Sequence, residues 1–98
     1  MTTATLEFLT TLEDVIRRRA NEDADHSYTA SLFSAGTRRI AQKVGEEGLE
    51  VALAATAGNK DELLEESADL LYHLLVLLAD SEVTLADAVA VLEARHTA

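Results

Sequence analysis

The sequence predicts an all-α fold, and three observations carry that prediction. The chain has no proline and only four glycines, so little interrupts a helix. Ala, Leu and Glu, strong helix formers, are abundant. Apolar residues recur three and four apart rather than in alternation. The 98 residues are read as one domain, 1–98. With 48% hydrophobic residues, so small a helical chain needs a partner to cover its apolar faces. A helical bundle completed by homodimerisation, or by a higher oligomer, is therefore expected.

The first helix is expected over residues 6–20, where Phe8, Leu9, Leu12, Val15 and Ile16 make a one-sided stripe. Arg17, Arg18 and Arg19 close it, where cations suit the helix dipole. Residues 21–27 are polar and aperiodic and read as a loop. Tyr28 to Phe33 reads as a short helix ending at Gly36. Tyr28 and Phe33 either plug the core beside the loop, or Tyr28 lines a pocket mouth with Ser27 and Ser31. Spacing alone favours the plug.

Thr37 is the expected cap of a third helix running to about Ala57. At 100° per residue, Lys43, Glu47, Glu50 and Ala54 fall within about 60° of arc, with Arg39 at the edge. Glu46 lies about 100° from Glu47 and is a flanking residue. Ile40, Val44, Val51 and Ala55 form a separate apolar stripe. Ala41, Gly45, Gly48 and Ala52 form a line of small residues that suggests close approach of another helix or a ligand.

Ala57-Gly58-Asn59 is the best break in this half of the chain. Asn59 to Glu62 has the form of a capping box. The helix that follows carries Glu66 and Asp69, as the previous one carries Glu47 and Glu50. Each pair is three residues apart and shares a face. Both pairs are placed symmetrically about residue 58. An antiparallel hairpin folded there sets Glu47 level with Asp69, and Glu50 level with Glu66. Four carboxylates at one height repel unless a cation holds them, and hard divalent cations prefer oxygen ligands.

Taken alone, Arg39, Lys43, Glu47 and Glu50 also fit a solvated face stitched by pairs such as Lys43–Glu47. The fourth helix decides for the cation. From Leu70 to Ala79 only Tyr72 and His73 are polar, so this segment is buried between neighbours or subunits. Glu66 and Asp69 run into it in line with His73, and carboxylates entering a core are costly unless paired or metal-bound. His73 itself reads as a hydrogen-bonded core histidine rather than a ligand. Asp80-Ser81-Glu82 is the next break. Thr84 to Asp87 is a capping box opening a last helix with Leu85, Ala88, Val89 and Leu92 on one face. Glu93 and His96 form a lone Glu-x-x-His pair, and di-iron bundles need two such pairs.

The net charge of −10 argues against a nucleic-acid binder, which needs a basic face. The absence of Cys excludes thiolate metal sites and cysteine nucleophiles and fits a reducing, cytoplasmic compartment. The N-terminal residues 1–7 have no basic, apolar leader pattern, and no run is long enough for a membrane span.

Ser27-Tyr-Thr-Ala-Ser-Leu-Phe33, Lys43-Val-Gly-Glu-Glu-Gly-Leu-Glu50 and Glu66-Ser-Ala-Asp-Leu-Leu-Tyr-His73 closely resemble the phosphoribosyl-ATP pyrophosphatases. These are all-α, MazG-like nucleotide pyrophosphohydrolases marked by Glu-Glu-x-x-Glu followed by Glu-x-x-Asp. The resemblance spans roughly residues 6–96, with no departure at the motif positions. It implies hydrolysis of N1-(5-phosphoribosyl)-ATP between the α- and β-phosphates, the second step of histidine biosynthesis, with Mg²⁺. It implies a metal set of Glu47, Glu50, Glu66 and Asp69. Lys43 would neutralise the leaving pyrophosphate, and Glu46 or Glu50 would serve as the water's base. Arg38 and Arg39 are candidate phosphate contacts or simply solvated arginines. The resemblance moves Tyr28, with Ser27 and Ser31, towards the pocket. Some relatives carry a fused, Cys-dependent cyclohydrolase, an activity not expected in a chain without Cys. Two rivals share these residues: a house-cleaning pyrophosphohydrolase for other (d)NTPs, and a non-catalytic helical oligomerisation module.

Overall fold

The computed structural model describes residues 4–97. Residues 1–3, part of the N-terminal stretch without a leader pattern, lie outside the described residues. Five helices and no strand occur among the described residues: α1 (Phe8–Arg19), α2 (Tyr28–Ala35), α3 (Thr37–Ala57), α4 (Lys60–Asp80) and α5 (Leu85–His96). None is long and apolar enough to cross a membrane.

The hairpin of α3 and α4 is the most extensively packed helix pair. Its turn follows from Gly58, which takes φ 73° in the left-handed region, open to glycine without a Cβ penalty. The Gly58 N–H donates to the Ala55 carbonyl and the Asn59 N–H to the Ala54 carbonyl. This is the Schellman end of a helix. The Asn59 side chain then accepts from the Glu62 N–H at 3.0 Å and starts α4. The expected capping box is only half made. The Asn59 N–H is already bonded to α3, so the Glu62 carboxylate meets the Asn59 side-chain amide instead, at 3.3 Å.

α4 ends by the same device, with the Glu82 N–H bonded to Ala79 and the Val83 N–H to Leu78. Here Glu82, not glycine, takes the positive φ of 61°. The Thr84–Asp87 capping box is complete in both directions. Thr37 does not cap α3. Gly36 holds that place, and the Thr37 hydroxyl donates to Asp80 at 2.6 Å, tying the start of α3 to the end of α4.

One apolar cluster joins the first four helices: Ile16 from α1, Leu32 from α2, Ile40 from α3, and Leu75 and Val76 from α4. Each such side chain contributes about 1.5–3 kcal/mol by leaving water. Leu75 is 1% exposed within the single chain. It therefore belongs to the internal core, so this part of the 70–79 run is buried between neighbouring helices of the same chain. The uncovered apolar residues lie elsewhere: Leu49 and Leu53 on α3, Leu64 and Leu71 on α4, and Val89, Val91 and Leu92 on α5. Phe8, placed in the α1 stripe, is also exposed. The small-residue line on α3 meets no close neighbour in this chain, since a Cβ on Gly45 or Gly48 would touch nothing within 4 Å.

Glu13 was not singled out by motif, yet it sits among Leu9, Leu12 and Ile16 at core spacing and is buried. Its carboxylate accepts from the Leu85 N–H at 2.7 Å and lies 3.4 Å from Arg17. An acceptor on the first N–H groups of a helix suits its dipole, so Glu13 pins the start of α5 to α1.

Candidate active site

The hairpin brings acids from both long helices together. Glu47 from α3 and Glu66 and Asp69 from α4 each offer an oxygen, all within 4.8 Å of one another. Glu47 is 5% exposed, Glu66 half-buried and Asp69 at the surface. The fourth acid, Glu50, lies outside this trio. It is exposed, adjoins Glu66, and lines with it a cleft of about 420 Å³ that also includes Leu53, Ala54, Ala57 and Glu62.

Electrostatics inside the cluster are unfavourable without a cation or a proton. Glu66 Oε2 is buried with no hydrogen-bond partner. The Glu66 carboxyl is pushed up to about 7 from its ordinary 4.5. The main cause is Glu50, whose carboxylate accepts a hydrogen bond from the protonated form. Burial follows, then Coulomb repulsion from Glu50, and after these the same two influences from Glu47. A buried acceptor that faces only other acceptors is satisfied by a proton or a metal ion. The all-oxygen donor set suits a hard ion such as Mg²⁺.

Glu47 is the best supported member. Its Oε1 lies 3.5 Å from Lys43 Nζ and 3.6 Å from His73 Nδ1. Lys43 is one turn before Glu47 on α3, so its ammonium reaches the cluster by helix geometry alone. Glu46 points to another side, with Arg39 at 4.0 Å and the Gln42 amide donating to it at 3.3 Å. Arg38 is exposed and makes no ion pair among the described residues.

The α2 segment meets the acid-bearing helix α4 through Tyr28. The Tyr28 hydroxyl lies 2.9 Å from His73 Nε2, and His73 Nδ1 lies 2.9 Å from the Asp69 carbonyl oxygen. Tyr28 stacks on Tyr72 with centroids 6.2 Å apart, and Tyr72 shares a hydrogen bond with Thr29. Burial, the leading cause, raises the Tyr72 phenol above its ordinary value. Ser27 caps α2, its hydroxyl accepting from the Ala30 N–H at 2.9 Å, and the Ser31 hydroxyl donates to the Tyr28 carbonyl. Both serines therefore shape the backbone that presents Tyr28. Phe33 packs against the core instead, and so does Tyr72.

Residues 9–96 match the family described as phosphoribosyl-ATP pyrophosphohydrolase. The chain belongs to that family. Among its relatives are three proteins called "Histidine biosynthesis bifunctional protein HisIE". The protein from Photobacterium profundum is 58% identical over 91 residues, covering 93% of this chain and 44% of the relative. That from Campylobacter jejuni is 57% identical over 91 residues, with the same two shares. That from Vibrio cholerae is 60% identical over 85 residues, covering 87% and 40%. The chain thus spans less than half the length of these curated relatives. The matched span, residues 9–96, includes the segments from Tyr28 to His73.

Proposed function

We propose that this chain, acting as one domain over residues 1–98, hydrolyses phosphoribosyl-ATP to phosphoribosyl-AMP and pyrophosphate in histidine biosynthesis. The observation that carries the reading is the Glu47, Glu66 and Asp69 trio with the orphaned Glu66 oxygen, in a chain of this family. Water adds to phosphorus at the α–β bridge, the bridging P–O bond breaks, and the bridging oxygen leaves with the other phosphate group. Glu47, Glu66 and Asp69 would hold Mg²⁺, with Glu50 closing the set from the cleft side. When bound, Mg²⁺ supplies positive charge to phosphate oxygens and makes a water more acidic.

The protein's own groups have separable tasks. Lys43 offsets charge on the Glu47 side and on the leaving pyrophosphate. Glu50, exposed beside Glu66, accepts the proton of the attacking water. Glu46 is engaged with Arg39 and Gln42, which favours Glu50 as the base. Arg38 and Arg39, about two to three turns before Glu47 and Glu50 on α3, are proposed contacts for outlying phosphates. Tyr28 and the Ser27–Ser31 turn form the mouth.

The active form is proposed to be a homodimer. Leu64 is 70% exposed and Leu49 61% exposed in one chain, and a second copy is the simplest cover for such residues. The net charge of −10 speaks against a nucleic-acid partner.

Pyrophosphate release from phosphoribosyl-ATP tests the function, with dCTP, dUTP and ATP as competitors. Mg²⁺-dependent release with phosphoribosyl-ATP strongly preferred is the expected result. Equal or faster cleavage of dCTP or dUTP would favour a house-cleaning enzyme, and no Mg²⁺ binding by calorimetry would favour a non-catalytic module.

A further inference from the structure

His73 touches both halves of the site, and its hydrogen bonds fix its chemistry. The Asp69 carbonyl can only accept, so the nitrogen 2.9 Å from it, Nδ1, carries the proton. In the singly protonated ring Nε2 is then an acceptor, and the Tyr28 hydroxyl 2.9 Å away donates to it. The protonated Nδ1 also faces Glu47 Oε1 at 3.6 Å. The ring is 5% exposed and sits in a run that is otherwise apolar except for Tyr72, where a leucine would fill space as well. Tyr28 is the reverse case: 53% exposed, yet tethered by its hydroxyl to a buried imidazole. One face of its ring is against Tyr72, and the exposed part is free to stack on a flat heterocycle.

We propose that His73 is a positioning residue that locks the Tyr28 ring, as a stacking surface for the purine, at a fixed distance from the Glu47 and Asp69 carboxylates. The proposal rests on the nucleotide reading of the site. It adds that the α2 segment and the acid-bearing α4 are set in register by one imidazole bonded at both nitrogens. Outer partners of this kind orient the groups that contact ligand and ion.

Two substitutions separate its two bonds. His73→Asn keeps a donor near the Nδ1 place and loses reach to Tyr28. His73→Gln keeps an acceptor near the Nε2 place. His73→Asn and Tyr28→Phe should each raise KM for phosphoribosyl-ATP roughly fivefold to tenfold, about one neutral hydrogen bond, with kcat within about twofold. The double variant should be no worse than His73→Asn, because both remove the same bond. His73→Gln should keep KM near wild type. Multiplying effects in the double variant, or KM unchanged in both singles, would overturn the proposal.

A measurement on the wild type covers the case where the variants fold poorly. Nitrogen NMR of the His73 ring in metal-free protein should show Nδ1 protonated and Nε2 as a hydrogen-bond acceptor, with the Nε2 signal shifting in Tyr28→Phe. A ring protonated at Nε2 would overturn the proposal. This readout needs no substrate. Failure of wild-type turnover would count against the proposed function alone, while the ring still decides the role of His73.

Discussion

Glu47 and Glu50 sit one turn apart on the same face of α3, and the structure treats them differently. Glu47 is buried, flanked by Lys43 and His73, and within reach of both α4 acids. Glu50 is exposed and meets chiefly Glu66, across an open cleft. Equal spacing along the helix thus becomes unequal depth. A deep carboxylate with fixed neighbours suits holding an ion. A wet one beside it suits moving a proton.

The comparison breaks most sharply at Glu66, which touches both. Glu66→Gln should lower kcat by at least about a hundredfold, the scale of losing one preorganised charge-stabilising group, with helix content unchanged by circular dichroism. Glu50→Gln should lose turnover to a similar degree but keep more of its Mg²⁺ affinity than Glu47→Gln, read by calorimetry. Retention of more than about a tenth of wild-type activity in Glu66→Gln would separate the trio from the chemistry.

The same contrast of depth guides the interface. Leu75→Glu should unfold the chain, whereas Leu64→Glu should leave a folded monomer by sedimentation. A wild type that is monomeric at low micromolar concentration would contradict the dimer.

Lys43 sharpens the comparison from the Glu47 side. An ion pair at a partly exposed site is worth about 0–1 kcal/mol, so a purely structural Lys43 would leave activity nearly intact. As a cation on the phosphates it is worth roughly 3 kcal/mol in the transition state, about a hundredfold in rate. Lys43→Met should show the second effect in kcat/KM with little change in Tm. A value within about threefold of wild type would return the phosphate role to Arg38, Arg39 or the Ser27–Ser31 turn.

The proton on Glu66 gives a pH signature. Its folded-state value of about 7 lies above the ordinary 4.5, so the folded protein binds this proton more tightly than the unfolded chain. The resulting stability is fully present below about pH 4.5 and is lost as pH rises through about 7. Metal-free Tm should therefore fall as pH rises through that window. Mg²⁺ should restore it increasingly at higher pH, since it competes with the proton. Glu66→Gln should flatten both trends; an unchanged slope in that variant would assign them to other groups.

Much of the fold and the site was legible in the sequence, because helix geometry converts spacing into position. The break at Gly58, the two acid pairs and the reach of Lys43 all follow from 3.6 residues per turn and one turn residue. Depth was not legible: nothing in the spacing of Glu47 and Glu50 says which is wet. The Tyr28–His73 bond joins residues 45 apart, and no periodicity reports a contact between α2 and α4. The run around Leu75 reads as buried because it is apolar all round, but only packing shows that Leu75 is covered by helices of its own chain. The break after α4 was legible from Asp80-Ser81-Glu82, while the positive φ at Glu82 was not. Glu82→Gly should stabilise the chain by about 1 kcal/mol, the smallest of these effects, measurable by denaturant titration. A loss of stability would contradict the strain at that position.

The most direct test of the metal-site reading is pyrophosphate release from phosphoribosyl-ATP, with Mg²⁺ and with excess chelator, by wild type and Glu66→Gln. Release only by wild type with Mg²⁺ is the expected result. Comparable release under chelator, or by Glu66→Gln with Mg²⁺, would show that the acid trio does not hold the ion that drives the reaction.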